Sequence, residues 1–342
     1  MNAEYVPLIR PIHPDEYPAE AALLHAAYAA GPYAPELAQN EAWGRVERDT
    51  AGRDAAGRVL IAEEQGEMVG AASVLRHGSS FAKLAGPGEA ELRLVAVAPR
   101  VRGRGYGAAL VRAGLEEALG WGATALRLDT GVKNPAQHLY ERLGFERTPE
   151  LDEAVPSAGY GGSLSYRYPL QGRDDVRVRL IRPDEISAVS DLVLAAYRDD
   201  YAHLDPAYLA DIADVAGRVA TSQVWVAEDC ASGELLGTVT TPRIRELLTS
   251  VARSGEMDIR LLGVSRAARG RGIGALLTQH SIALATIRGA SGLTLETSPL
   301  MGAAWRLYER LGFDRLRDRE REITLADGSP LRLLTYGFAL PE

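Results

Sequence analysis

Two short motifs, each present twice, decide how this chain folds. Residues 102–107 read Arg-Gly-Arg-Gly-Tyr-Gly, and residues 269–274 read Arg-Gly-Arg-Gly-Ile-Gly. Tyr-Glu-Arg-Leu-Gly-Phe occurs without change at 140–145 and at 308–313. The second copies follow the first by 167 and 168 residues (269 − 102 and 308 − 140), which is too long for one unit of a solenoid. The sequence therefore predicts two tandem copies of one domain, residues 1–171 and residues 172–342.

The composition is that of a globular protein with two domains. The chain has 342 residues, and 46% hydrophobic with 25% charged residues excludes wholesale disorder. No apolar run approaches the ~20 residues that cross a bilayer, and residues 1–16 carry neither a basic start nor a long apolar stretch. A net charge of -8 disfavours nucleic acid as a partner, and a single cysteine excludes a disulfide framework. We therefore expect a cytoplasmic protein with no membrane partner, whose oligomeric state stays open.

Strand-like and helix-like segments alternate within each copy. Residues 111–119 place an apolar stripe on one face of a helix, and residues 35–50 indicate one further helix. Leu-Ile-Arg-Pro occurs at 8–11 and again at 180–183, which we interpret as the repeated start of each copy. Strands interleaved with helices predict an α/β fold (α+β by some schemes) with mixed rather than purely parallel sheets.

The glycine-rich segments 102–108 and 269–275 each follow a predicted strand and open a predicted helix. Successive glycines expose backbone N–H groups where the helix dipole favours phosphate oxygens, and neighbouring arginines complement a pyrophosphate. The first segment also fits the dinucleotide pattern G-x-G-x-x-A, with Asp129 placed to contact a ribose. A dinucleotide loop turns directly off its strand, however, whereas residues 98–102 intervene here. The predicted anion-binding residues are Arg102, Gly103, Arg104, Gly105, Tyr106, Gly107 and Ala108, and Arg269, Gly270, Arg271, Gly272, Ile273, Gly274 and Ala275.

The order strand, R-x-x-G-x-G, helix, strand and a helix with L-Y-E-R-L-G-F resembles the GNAT superfamily of acetyl-CoA-dependent N-acetyltransferases, in both halves. The resemblance implies acetyl-CoA as cofactor and two GNAT-like domains, each a mixed, mostly antiparallel twisted sheet flanked by helices. It also implies that the strand before the loop splays from its neighbour and offers backbone groups to pantetheine. Asn134 matches a family asparagine that contacts the cofactor, whereas the second copy has Gly302 there. The strand residues concerned are Val95, Val97, Leu262 and Val264.

Acetyl transfer to an amine requires a base for the ammonium, a group that stabilises the oxyanion and an acid for the departing thiolate. By the resemblance, a carboxylate on the strand before the loop is the base, and the tyrosine of the second motif is the acid. Glu89 and Glu256, on the same strand face as those carboxylates, are substitutes. The alternative interpretations are solvated carboxylates and a tyrosine that fills the core. The candidate catalytic residues are Glu91 and Tyr140 in the first copy, and Asp258 and Tyr308 in the second.

Three functions are compatible with these patterns. The leading one is an N-acetyltransferase that moves an acetyl group from acetyl-CoA to a primary amine of a small molecule by direct attack in a ternary complex. The alternatives are a nucleotide-dependent oxidoreductase and a non-catalytic acyl-CoA-binding protein with one or both copies degenerate. Because Glu91, Asn134 and Tyr140 occur together in the first copy, we expect that copy to be the better catalyst, with both copies binding cofactor.

The acceptor and metal predictions rest on weaker patterns. The six histidines show no pair at metal-ligand spacing, so no metal site is predicted. The first helices of each copy are acidic, which would suit a cationic amine, although acidic helix faces are also common where they are merely solvated. These acidic residues are Asp15, Glu16, Glu20, Glu36, Glu41 and Glu47 in the first copy, and Asp184, Glu185, Asp191, Asp199, Asp200, Asp205, Asp211 and Asp214 in the second.

Overall fold

The computed structural model describes residues 7–152, 162–200, 204–324 and 328–341. His203 and the side chains of Asp199 and Asp200 lie outside what the structure describes. The chain divides into two compact units, Met1–Leu170 and Gln171–Glu342, called here the first and second modules. Each has a sheet with helices packed against it, so the predicted α/β class is confirmed. No helix in the described ranges is long and apolar enough to cross a membrane.

The first module begins with a short strand and a helix and then builds its sheet. Its helices are α1 (Tyr17–Ala29), α2 (Ala34–Ala38), α3 (Glu41–Arg48), α4 (Thr50–Ala55), α5 (Tyr106–Gly120) and α6 (Gln137–Arg142). Its strands are β1 (Leu8–Pro11), β2 (Gly57–Glu64), β3 (Glu67–Arg76), β4 (Ala90–Val97), β5 (Ala125–Gly131), β6 (Glu146–Arg147) and β7 (Ser163–Pro169).

The second module repeats this order of elements with one helix fewer before its sheet and one additional strand, β14. Its helices are α7 (Ile186–Asp200), α8 (Pro206–Ala213), α9 (Val215–Thr221), α10 (Ile273–Arg288) and α11 (Gly302–Arg310). Its strands are β8 (Val176–Leu180), β9 (Gln223–Asp229), β10 (Leu235–Thr241), β11 (Glu256–Val264), β12 (Gly292–Thr297), β13 (Asp314–Arg315), β14 (Arg321–Thr324) and β15 (Pro330–Ala339).

The two sheets share one topology. The strand order is β1-β2-β3-β4-β5-β7-β6 in the first module and β8-β9-β10-β11-β12-β15-β13 in the second, where β14 also pairs with β15. The pairs β4–β5 and β11–β12 are parallel, and the other neighbours are antiparallel. A parallel pair needs a crossover connection, which α5 and α10 supply. The predicted mixed, mostly antiparallel sheets are therefore confirmed.

Each sheet is covered on both faces. In the first module, Leu24 of α1 packs with Ala71 and Leu94 on one face. On the other face, a Cβ added at Gly114 of α5 would lie 2.8 Å from Leu92 Cδ1, so the absence of a side chain lets the helix approach the strand closely. The second module repeats this arrangement, with α7 on one face and α10 on the other. Residues of β4 and β11 therefore alternate between two helical layers.

One predicted repeat is out of register. The Leu-Ile-Arg-Pro match makes Arg10 equivalent to Arg182, an offset of 172. In the structure, Arg10 pairs with Glu16 of the following turn and with a glutamate near the end of β2, and Arg179 makes the same two contacts in the second module. The equivalent of Arg10 is thus Arg179, and the letter match is wrong by three residues. The ion pairs, rather than the four letters, define the repeated unit here.

The predicted single helix over 35–50 is also wrong, because two side chains interrupt it. Asn40 Oδ1 accepts the N–H of Trp43 at 3.0 Å, and Asp49 Oδ1 accepts the N–H of Gly52 at 2.9 Å. Each therefore caps a new helix start, as short polar side chains do where they satisfy the first free N–H groups. The segment consequently forms α2, α3 and α4.

Candidate active site

The first glycine-rich loop forms an open concave backbone at the start of α5. A single 3₁₀ turn, Pro99–Val101, separates it from β4. Gly103 and Gly105 have φ angles of 79° and 89°, which glycine adopts without strain, and a Cβ added at either would meet no atom within 4 Å. Gly105 is the N-cap of α5 and has no side chain that could cap the first N–H groups of the helix. These N–H groups and the open space above the glycines fit an anion such as a pyrophosphate.

The second loop repeats this geometry at the start of α10. The 3₁₀ turn Arg266–Ala268 leads into it, and Gly270 and Gly272 have φ angles of 79° and 78°. No side chain caps the N-terminus of α10. A Cβ added at Gly270 would meet nothing within 4 Å, whereas one at Gly272 would lie 3.7 Å from an arginine side chain. The two loops therefore have the same backbone but different surroundings.

The remaining loop residues contribute backbone groups and packing. Tyr106 and Ile273 are buried, so their side chains belong to the core. A Cβ on Gly107 would contact Leu139 at 3.5 Å, and one on Gly274 would crowd the corresponding leucine at 3.2 Å. These glycines bring the first helical turn close to the neighbouring helix. Ala108 and Ala275 continue that same turn.

The first arginine of each loop is held by the carbonyl end of a helix. Arg102 donates to the carbonyl oxygens of Ala27 at 2.7 Å and Ala30 at 3.2 Å, at the end of α1. Arg269 donates to the carbonyl of Ala196 in α7 at 3.3 Å. The guanidinium of Arg102 is stabilised at the end of α1 because the last carbonyls of a helix carry partial negative charge. These arginines therefore anchor the loop to the first helix of their module.

The second arginine of each loop is paired with a carboxylate at the β-hairpin beside the loop. Arg104 binds Glu64 and Arg271 binds Asp229, the latter at 2.7 Å. Arg271, together with backbone N–H groups, lowers the pKa of Asp229 to about 2. The pairing occurs in both modules, so it belongs to the repeated design of the loop.

The strand before each loop separates from its parallel neighbour. β4 pairs with β5 over Ala90–Glu91, and the register of β4 against β3 then shifts at a bulge that contains Leu94. Leu94 has a φ of 55° and its equivalent Leu261 a φ of 52°, a conformation uncommon for side chains other than glycine. Val95 and Val97 follow the bulge and border the gap between the strands. Leu262 and Val264 hold the same positions beside β12.

The motif tyrosines are buried in equivalent aromatic clusters. The ring of Tyr140 lies 5.9 Å from that of Phe145 and 6.0 Å from that of Tyr166. Tyr308 lies 5.8 Å from Phe313 and 6.2 Å from the tyrosine of the neighbouring strand. Burial raises the pKa of the Tyr140 hydroxyl above its ordinary value of 10.0, with a further contribution from a nearby aspartate. This phenol is therefore protonated at neutral pH.

Glu91 is fully buried on β4 and holds the β3–β4 connection. Its Oε2 accepts the backbone N–H groups of Lys83, Leu84 and Ala85 at 2.7, 2.5 and 3.1 Å. Its Oε1 has no hydrogen-bond partner in the structure and lies 3.6 Å from Nε of Arg93. Burial raises the pKa of this carboxyl although the hydrogen bonds oppose the shift. One oxygen of Glu91 is thus saturated and the other retains acceptor capacity.

Asp258 occupies the same position in β11 and is also fully buried. Both of its oxygens accept the N–H of Leu248 at 3.0 Å, and Oδ2 also accepts the hydroxyl of Thr249 at 2.7 Å. Burial raises the pKa of this carboxyl as well. In contrast to Glu91, both oxygens of Asp258 already bind donors.

The two alternative candidate bases, Glu89 and Glu256, form ion pairs with arginines. Glu89 forms ion pairs with Arg127 and Arg167, and Glu256 forms one with Arg319 at 2.7 Å. Although burial opposes the shift, these arginines lower the pKa of both carboxyls. A carboxylate with a depressed pKa and a committed arginine is a poor proton acceptor near neutral pH.

Two further residues join the tyrosine cluster of the first module and were not expected from sequence. Burial raises the pKa of Tyr28, at the end of α1. Tyr140 and Asp129 raise this pKa further, whereas Arg93 lowers it. Tyr28 and Asp129 therefore lie near the motif tyrosine, and Arg93 lies near Tyr28. The repeat itself carries the signal for one of them, since Arg260 stands in β11 where Arg93 stands in β4. Asp129, expected beside a ribose, lies beside two tyrosines instead.

The asparagine predicted to contact the cofactor shapes the turn before α6. Asn134 Oδ1 accepts the N–H of Ala136 at 3.1 Å. In the second module, the side chain of Ser298 accepts the N–H of Leu300 at 3.2 Å, and Gly302 is the first residue of α11. The two modules therefore form this turn with different side chains.

The acidic helix residues are largely engaged within the fold. Glu20 is buried against Arg53, and Asp211 pairs with Arg260 at 3.2 Å. Asp205 caps the start of α8, and Asp214 caps the start of α9 in the same way. These contacts account for much of the acidic pattern without a cationic ligand. No group of His, Cys, Asp or Glu able to hold a metal ion occurs among the residues that the structure describes.

Two open glycine loops, each beside a splayed pair of parallel strands and a buried tyrosine, have the shape that an acyl-coenzyme-A-dependent transferase needs. The acetyltransferase (GNAT) family model matches residues 20–145 and 186–313, which is most of the chain. The protein therefore belongs to the GNAT acetyltransferase family. It is an N-acetyltransferase whose acetyl donor is acetyl-CoA, and the oxidoreductase interpretation is wrong.

Curated relatives agree with this family, and the chain is also similar to a solved acetyltransferase structure. Mycothiol acetyltransferase of Nocardia farcinica is 30% identical over 276 residues, covering 77% of this chain and 81% of that protein. The mycothiol acetyltransferase of Amycolatopsis mediterranei is 30% identical over 291 residues, covering 82% and 89%. The ribosomal-protein-alanine N-acetyltransferase of Brucella melitensis is 25% identical with a TM-score of 0.38, covering 48% of this chain and 99% of that one.

Proposed function

We propose that this enzyme transfers the acetyl group of acetyl-CoA to a primary amine of a small molecule by direct attack in a ternary complex. One observation carries the proposal: in each module a buried tyrosine follows an open glycine loop and a splayed strand pair. The loop supplies an anion site, and the tyrosine supplies a proton donor without an intervening nucleophile. The lone cysteine, Cys230, is exposed and has no counterpart in the first module, which argues against a covalent acetyl-enzyme.

In the first module, each group of site residues has its own role. N–H groups around Gly103 and Gly105 bind the pyrophosphate, and the backbone of Val95 and Val97 orients the acetyl arm beside the gap. Acetyl-CoA, when bound, supplies a thioester carbonyl for attack by the amine. Tyr140 donates a proton to the departing sulfur, since its raised pKa keeps the phenol protonated.

The base is proposed to be the buried carboxylate of β4. Glu91 Oε1 has no hydrogen-bond partner in the structure, so it can accept a proton through a water molecule that enters with the amine. The raised pKa of this carboxyl brings it closer to the range in which a general base works near neutral pH. Asp258 is assigned the same role in the second module, where the hydrogen bonds that both of its oxygens accept make it the weaker base.

The acceptor is proposed to be related to the compound in the names of the relatives. Two relatives that cover more than three quarters of this chain are mycothiol acetyltransferases. An amine-bearing precursor of mycothiol is therefore the first substrate to test. The engaged acidic side chains of α1, α8 and α9 give no support for requiring a positively charged acceptor.

The test is release of free coenzyme A thiol from acetyl-CoA in the presence of an amine panel. The panel contains the amine precursor of mycothiol, simple primary amines, a peptide with a free N-terminal alanine and an alcohol as control. We expect turnover with a small amine and an amide product by mass spectrometry. Turnover confined to the peptide would overturn the small-molecule assignment, and an ester or thioester product would overturn N-acetylation.

A further inference from the structure

A third arginine lies against the second glycine loop, from outside the loop motif. Arg173 belongs to the segment that opens the second module, three residues after Leu170. Its Nη1 donates to the carbonyl oxygen of Arg271 at 2.7 Å, within the loop itself. Its Nε and Nη2 donate to Asp175 at 2.8 and 2.5 Å. Arg173 is therefore fixed at the loop by three hydrogen bonds.

The position of this guanidinium relates directly to the open face of the loop. A Cβ built on Gly272, the N-cap of α10, would lie 3.7 Å from Nη1 of Arg173. The equivalent Cβ on Gly105 in the first module would meet nothing within 4 Å. Arg173 therefore lies on the side of the loop where a side chain at position 272 would be. A pyrophosphate approaches such a loop from the side that lacks side chains.

We propose that Arg173 binds the pyrophosphate of coenzyme A in the second module, as a coenzyme-binding residue outside the R-x-x-G-x-G motif. The proposal rests on the second loop being a coenzyme site, as proposed above. A guanidinium has five N–H donors, and the three hydrogen bonds above leave two for phosphate oxygens. Arg173 and Arg271 then offer two guanidinium groups at one helix start, each already oriented by an aspartate.

The inference is specific to the second module. The ion pairs of Arg10 and Arg179 set an offset of 169 residues between the first strands, which makes residue 4 the equivalent of Arg173. The sequence has Glu4 there, of opposite charge, and that residue lies outside the described ranges. An arginine at this position therefore distinguishes the second coenzyme loop from the first.

The experiment measures coenzyme A binding by calorimetry, with one loop disabled at a time. Gly105→Val disables the first loop and Gly272→Val the second, because a β-branched residue is strained at positive φ and fills the space for the phosphate. In the Gly105→Val background, Arg173→Ala should raise the Kd about tenfold, as expected for one charge-assisted hydrogen bond at a partly exposed site. In the Gly272→Val background, the same substitution should change nothing.

Two controls keep the result interpretable. Arg177→Ala removes an exposed arginine of β8 four residues away and should leave the Kd unchanged. Arg173→Gln keeps a polar N–H donor on a shorter side chain without the charge, so it should bind as weakly as Arg173→Ala if charge matters. 3′-Dephospho-coenzyme A should show the same loss as coenzyme A, because the pyrophosphate is common to both.

The failure of this proposal differs from the failure of the proposed function. If the parent chain and the Gly105→Val variant bind no coenzyme A, the second loop is no coenzyme site and both proposals fall. If Gly105→Val binds coenzyme A and Arg173→Ala leaves the Kd unchanged or tightens it, the assignment of Arg173 alone is overturned. A loss seen with coenzyme A but absent with the dephospho form would also overturn it, because the contact would then be to the 3′-phosphate.

Discussion

The two modules fill the space beneath their first helix with different side chains, an ion pair in the first module and apolar residues in the second. In the first module, Glu20 of α1 and Arg53 of α4 are both completely buried and joined by hydrogen bonds of 3.0 and 2.7 Å. Arg53 also donates to the hydroxyl of Ser73 at 2.7 Å. In the second module, Val189 stands at the position of Glu20 and is buried in an apolar cluster, and Arg218 instead donates to backbone carbonyls.

This difference shows which parts of the fold are free to change. An ion pair buried in a core is no more stabilising than apolar side chains of similar volume, yet it cannot lose one partner without a large cost. The loops and tyrosines recur in both modules, as expected if both modules bind coenzyme A in the proposed way. The core beneath α1 and α7 keeps the same shape in the two modules but is built from different residues.

The largest expected effect comes from breaking the buried pair. Glu20→Ala leaves the guanidinium of Arg53 buried without its carboxylate and should lower the free energy of unfolding of the first module by about 3–5 kcal/mol. Urea unfolding followed by circular dichroism measures this loss. Val189→Ala in the second module is the matched control and should cost less, since it removes only apolar contacts. Equal losses would mean that the ion pair is no more critical than a buried valine.

The tyrosines come next and decide which module transfers the acetyl group. Tyr140→Phe removes a proton donor from a buried site and should lower kcat on the order of 10²-fold, with little change in KM for acetyl-CoA. Because Oε1 of Glu91 accepts no hydrogen bond from the described residues, whereas both oxygens of Asp258 accept one, we expect Tyr308→Phe to lower kcat less. Steady-state kinetics with one amine measures both. A larger loss from Tyr308→Phe would reverse the order of the modules, and no loss from the double variant would make both tyrosines packing residues.

The smallest expected effect is that of Glu91→Gln, which tests whether Glu91 is a base or only holds the β3–β4 connection. Glu91→Gln weakens up to three hydrogen bonds from N–H groups of the β3–β4 connection and should cost about 1–3 kcal/mol of stability. If Glu91 is also the base, the acid limb of the pH profile of kcat should disappear in this variant. Asp258→Asn is the matched change and should lower stability by a similar amount with a smaller effect on kcat. A pH profile unchanged by Glu91→Gln would leave this carboxylate with a structural role alone.

The pH dependence of stability has a definite sign for these carboxyls. Burial raises the pKa of Glu91 above its ordinary value of 4.5 in the folded protein. Proton linkage therefore favours folding below pH 4.5, and this contribution is lost as pH rises through the folded-state pKa. Glu91→Gln should remove that dependence, which unfolding measured at several pH values from 4 upward would show.

Features coded by short local patterns could be read from the sequence. The duplicated fold, the helices after the glycine loops and the motif tyrosines all follow from residue types at fixed spacing. The left-handed glycines at 103, 105, 270 and 272 belong to this group, because glycine adopts a positive φ at no cost. The Leu-Ile-Arg-Pro match gave a wrong alignment of the two modules, because the ion pairs of Arg10 and Arg179 show that these two arginines are equivalent.

Tertiary structure decided what each polar side chain binds. Arg102 reaches carbonyls more than seventy residues earlier, and the N–H groups that hold Glu91 come from a connection without any pattern of its own. Arg173 meets its loop across 98 residues of chain. A hydrogen bond depends on where two atoms meet in space, and local sequence carries no information about a partner so far along the chain. The sequence by itself therefore determined the duplicated fold and its glycine loops, whereas the packing of the sheets decided which charged side chains contact those loops.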